Sequence, residues 1–101
     1  MDVCNFVKKV LSILDFAKEY ASKSLSTGNP ELSIAASDIT VGVARILLEE
    51  LSEDDRVEEL LEELEDVVDG LVHAMTVERE YEEVLKAYTI VSKLAQQLGC
   101  G

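Results

Sequence analysis

A chain of 101 residues with 21 acidic and 9 basic side chains carries a formal charge of −12 and has the length of one ordinary domain, residues 1–101. Such a charge repels phosphate backbones and anionic lipid, so neither nucleic acid nor a membrane surface is an expected partner. Hydrophobic residues at 48% and charged residues at 30% exclude a disordered chain, and nowhere do ~18 apolar residues run together as a membrane span requires.

The absence of Trp, the single Pro and the dominance of Leu, Val, Glu, Ala and Lys favour helices throughout. No signal peptide is expected, because the early lysines fall inside an amphipathic pattern. The sequence names no compartment, and a recombinant chain is expected to be cytoplasmic and soluble. The first helix is predicted over about 2–25. Val3, Phe6, Val7, Val10, Leu11, Ile13, Leu14, Ala17, Tyr20 and Ala21 recur at helical spacing, with Lys8, Lys9, Ser12, Asp15, Lys18, Glu19 and Ser22 facing away.

Thr27-Gly28-Asn29-Pro30-Glu31 is the clearest punctuation in the chain. Gly28 suits the left-handed residue that ends a helix, and Asn29 can cap the next one. Pro30 at the first helical position loses no hydrogen bond, and Glu31 favours the positive end of the helix dipole. The second helix, about 30–51, is the most apolar. Its main face is read as Leu32, Ala35, Ala36, Ile39, Val43, Ile46 and Leu47, widened by Ile34, Val41 and Leu48. Ser33, Ser37, Asp38, Thr40, Arg45 and Glu49 form its polar side. A helix so apolar is expected to have neighbours on several sides.

Ser52 is read as the cap of a third helix, about 53–75, with Glu53, Asp54 and Asp55 in its first turn. Val57, Leu60, Leu61, Leu64, Val67, Val68, Leu71 and Met75 form its apolar seam. From Glu53 to Met75 there are ten acids and one arginine, which account for −9 of the total charge. Beyond Met75 the seam shifts to Val77, Tyr81, Val84, Leu85, Tyr88, Val91, Leu94, Ala95 and Leu98, so Thr76 is read as the cap of a fourth helix, about 77–98. A competing reading ends or bends the third helix near Asp69-Gly70. Short links between the helices imply an all-α, four-helix, antiparallel up-down-up-down bundle.

Few residues are candidates for chemistry. His73 is the one histidine, expected on the solvent side of the third helix with Asp69 four residues earlier; no ligand spacing around it supports a metal site. Glu58, Glu59, Glu62, Glu63, Glu65, Asp66 and Asp69 crowd an outer face, whereas general acid–base catalysis needs a carboxylate in a desolvated cleft. No catalytic, cofactor-binding or metal-ligating residue is assigned, and no cofactor is implied. Gly42, Ala35, Ala36 and Ala44 form a small-residue patch that would let a neighbouring helix approach closely. Cys4 and Cys100 fall at the same end of an up-down-up-down bundle. A disulfide between them is geometrically possible, and two free thiols are the alternative.

The turn Thr27-Gly28-Asn29-Pro30-Glu31 and the run from Ser52 to Leu64, with its repeated Glu-Glu-Leu, agree at every main position with helix propensity, capping and pattern. In this the chain resembles computationally designed helical bundle proteins. Asn5, Phe6, Asp15-Phe16, Thr40-Val41-Gly42 and the stretch from Gly70 to Thr76 depart from that style, as a design assembled from natural helix fragments would. The resemblance implies a structural scaffold with no enzymatic activity that requires no partner and is monomeric, with a swapped dimer open if the Thr76 turn fails to form. The alternative is a small natural acidic module that binds a basic or helical protein partner.

Overall fold

The computed structural model describes residues 2–100. Four helices, α1 (Val3–Thr27), α2 (Pro30–Glu50), α3 (Glu58–Val72) and α4 (Val77–Gln97), pack antiparallel in an up-down-up-down bundle. At ~1.5 Å per residue, a helix of α1's length spans ~37 Å, close to the molecule's long dimension of 40 Å. No helix among the described residues is long and apolar enough to cross a membrane.

α1, α2 and α4 each start where a side chain takes up free backbone N–H groups. The Asp2 carboxylate accepts from the N–H of Cys4 at 3.0 Å and of Asn5 at 3.3 Å. Asn29 accepts from Glu31 N–H at 3.1 Å with Pro30 behind it, and Thr76 Oγ1 accepts from Arg79 N–H at 3.1 Å. These are the orphan donors of a helix N-terminus. Gly28, at φ 74°, ends α1 in the left-handed conformation and donates its N–H to Ser24 O. The Thr76 boundary is present as read from the sequence, and Gly70 lies inside α3 without a break.

The third helix differs from expectation at both ends. Ser52 is not its cap; its hydroxyl donates back to Glu49 O at 3.1 Å. Leu51 and Val57 are both buried, and reaching the two positions takes a turn rather than a continuous helix. A single 3-10 turn, Asp55–Val57, intervenes, capped by Asp54, and α3 begins only at Glu58. Arg56 donates to both oxygens of Asp54, at 3.0 and 2.7 Å. The side-chain hydrogen bonds from Arg56, with its backbone N–H, hold the Asp54 carboxyl below the usual carboxylate range. At the far end α3 stops at Val72, and Met75, read as the last seam residue, is 93% exposed in the link that carries the chain to Thr76.

The cross-section is a flattened rhombus. α1 packs on α2 and α4, α3 packs on the same two, and α2 meets α4 across the short diagonal, while α1 and α3 stand apart. Leu14, Leu47, Leu64 and Leu94, each 1% exposed or less, fill the centre. The short diagonal decides which face of α2 turns inward. The buried positions are Ser33, Ala36, Ser37, Thr40, Ala44 and Leu47, all but Leu47 small residues that let α4 come close. The expected face of α2 is therefore corrected: Ile46 of the main face and Ile34, read as widening it, are about half exposed, and Ser33, Ser37 and Thr40, read as polar surface, are interior. On α1, Ile13 and Tyr20, read as part of the apolar face, are exposed at its edge. Gly42 is corrected too, because it faces outward with open space above it.

Candidate functional site

Because α2 and α4 run parallel, their first turns lie at the same end of the bundle, beside the last turn of α3. Three polar groups converge there. Ser33 and Ser37, one helical turn apart on the buried face of α2, donate their hydroxyls to the two oxygens of Glu80 at 2.9 and 2.8 Å. One turn further along α4, Glu83 is 3% exposed. Its Oε1 lies 3.3 Å from Arg79 Nη2 and 3.1 Å from Lys86 Nζ. Those cations sit four residues before and three after it, the two spacings at which helix side chains meet. Both reach inward from side chains more than half exposed, so each keeps part of its hydration while the carboxylate is sequestered.

α3 makes room for Glu83 with Gly70. A methyl group on that residue would fall 2.8 Å from Glu83 Oε2, so the absence of a side chain is what the buried carboxylate needs. Around the cluster an open groove of about 570 Å³ runs between α3 and α4. Glu63 and Asp66 line one wall, and Arg79, Lys86 and Lys93, spaced at intervals of seven, line the other. The groove thus has an acidic wall and a basic wall.

The residues singled out from the sequence lie elsewhere. His73 caps the C-terminus of α3 with 72% of its side chain exposed. Its Nδ1 is 2.9 Å from the carbonyl oxygen of Asp69 and 3.4 Å from the Asp69 carboxylate, and that carbonyl also accepts the His73 backbone N–H at 3.2 Å. The acids of α3 from Glu58 to Asp69 are all exposed. Among the described residues no three His, Cys, Asp or Glu side chains converge as metal ligands would. Cys4 and Cys100 are joined by a disulfide at the opposite end of the bundle, with Cα atoms 5.2 Å apart.

Sequence reasoning missed Ser33, Ser37, Glu80, Glu83 and Gly70. A signal was present for Glu83. Together with Ala87, Ile90 and Leu94 it forms a line at i, i+4, i+7 and i+11, and all four are buried. The seam expected from the sequence runs through Leu85 and Tyr88 instead and leaves Glu83 out. With the geometry in place, comparison with family models, with curated proteins and with solved structures gives no match, and the cluster must be interpreted from its own chemistry.

Proposed function

We propose that this chain is a structural scaffold of the kind computational design produces, without biochemical activity of its own, in which the residues specify and hold four packed helices. The observation that carries this reading is where the interior polar groups are directed. Glu83 is engaged by Arg79 and Lys86, Glu80 by Ser33 and Ser37, and Thr40 donates to Ala36 O at 2.8 Å. Among the described residues no buried side-chain nitrogen or oxygen lacks a partner. A ligand-binding site characteristically aims polar groups at open space, whereas these groups are closed on one another. Complete satisfaction of this kind, with a side-chain cap at the start of α1, α2 and α4, is also what a design procedure selects.

The reading is tested by thermal unfolding of the oxidised chain against a panel of divalent metals, haem, nucleotides and phosphate. The expected result is one cooperative transition whose midpoint no member of the panel moves. A rise of several degrees with any of them, as mass action requires of a ligand that binds the folded state, overturns it.

A second reading, a natural acidic module that binds a basic or helical partner, is favoured by the outward acids of α3 and by the exposed Phe16, at 61%. Its discriminating experiment is calorimetric titration with a basic amphipathic helical peptide. Saturable binding that is lost when Glu62, Glu63 and Asp66 are neutralised would favour it over the scaffold.

A further inference from the structure

We infer that the outward face of α2 is the contact surface of a symmetric dimer of this chain, in which two α2 helices pack antiparallel about a two-fold axis near Val41 and Gly42. α2 is the least amphipathic of the four helices, the mark of an element with neighbours all round. Among the described residues of one chain it packs on α1, α3 and α4 only. Its fourth side carries Ile34 and Ile46, about half exposed, and faces Val72 of α3, 56% exposed. Ile34, Val41 and Val72 line a shallow groove of about 580 Å³ there.

Gly42 lies at the centre of this side. A helix-interior glycine is unfavourable relative to alanine, and no contact among the described residues requires one, since a Cβ at that position would meet none of their atoms within 4 Å. The space above it lies outside the molecule. An approaching helix would use it, as small residues at helix crossings let backbones come close.

Charge identifies the occupant. Asp38 and Arg45, two turns apart on this side, line the same groove, and neither makes an ion pair among the described residues. Their midpoint falls between Val41 and Gly42. An antiparallel two-fold there sets Asp38 of each copy beside Arg45 of the other, the self-complementarity that an isologous interface demands. Most of the chain's negative charge lies on α3 rather than here, so copies meet on α2 with the least repulsion. A scaffold can be monomeric or dimeric; the sequence leads to a monomer, and this surface is the reason to expect two chains. One helix pair with a flanking valine is small beside the roughly 1,200–2,000 Å² of a stable interface, so the association is weak and reversible rather than obligate.

Sedimentation equilibrium of the oxidised full chain from ~10 µM to ~1 mM should show the mass rising from one chain toward two. Asp38→Arg and Arg45→Asp, each placing like charges together, should raise the dissociation constant about tenfold or more, and the double charge swap should restore it. Gly42→Leu should also weaken the dimer while keeping helicity and leaving the unfolding midpoint of dilute chain no lower, since helix propensity favours leucine over glycine, which separates loss of contact from loss of fold. A chain that stays monomeric to ~1 mM overturns the inference. So does a dimer that ignores the single substitutions, as one formed through Phe16 on α1 would, or one that the double swap fails to restore.

Discussion

Glu83 shows how a four-helix core accommodates a carboxylate. Removing an ion from water costs several kcal/mol unless partners replace its hydration. Arg79 and Lys86 do so from within the same helix, at little further entropic cost, because α4 already fixes their backbones. The carboxylate also fixes the neighbouring helix, since its Oε2 occupies the space a Cβ would take on Gly70. Two effects then oppose each other in Gly70→Ala. The helix gains roughly 0.5–1 kcal/mol of propensity, and the carboxylate must move away from contacts with two cations. The substitution is expected to be close to neutral in the native chain. With Glu83→Ala already present, the obstruction is gone and the same substitution should stabilise by about 1 kcal/mol. A double-mutant cycle by urea unfolding should return a coupling on the order of 1 kcal/mol. A coupling of zero would mean that Gly70 and Glu83 do not share that space.

At the scale of the element, α2 carries the main lesson. Its apolar residues are so numerous that more than one face can be drawn through them, and size rather than hydrophobicity selects among the faces. The helix lies on the short diagonal of the rhombus opposite α4, so small side chains turn inward, and the interior hydroxyls are tolerable because Glu80 and a helix carbonyl accept from them. Helix number, order and the Gly28–Pro30 and Thr76 boundaries were legible because glycine, proline and capping residues act locally. The face of α2, the 3-10 turn before α3 and the burial of Glu83 were not, because each depends on which helix lies opposite. The assignment of faces has a direct check in dilute chain. Ile34→Ser should cost under ~1 kcal/mol, as surface changes do. Ser33→Leu, which adds volume to a filled interior and removes a donor from a carboxylate, should cost ~2–3 kcal/mol. The reverse order, measured by denaturant midpoint, would restore the larger apolar face to the core.

The whole molecule is fastened differently at its two ends. At one end the Glu80 and Glu83 cluster ties α2, α3 and α4 together; at the other the Cys4–Cys100 disulfide joins the first turn of α1 to the residues after α4 across 96 positions of sequence. Gly99, at φ 74°, turns the chain back so that Cys100 N–H donates to Ala95 O and the thiol reaches Cys4. A cross-link of that span acts mainly on the unfolded chain, since the folded ends already lie together through the packing of α1 on α4. The loop-entropy model assigns it about 4–5 kcal/mol. Reduction, or Cys4→Ser with Cys100→Ser, should therefore leave the helical spectrum unchanged, lower the denaturant midpoint strongly and steepen the transition, because an unfolded chain without the link exposes more surface. Amide exchange should quicken first around Leu98 and the opening turn of α1, with the Glu83 end retaining its protection. If reduction instead removed helicity throughout, the link would be holding the native packing itself and the entropic account would fail. If neither midpoint nor slope moved, the unfolded ensemble would already keep the two ends together.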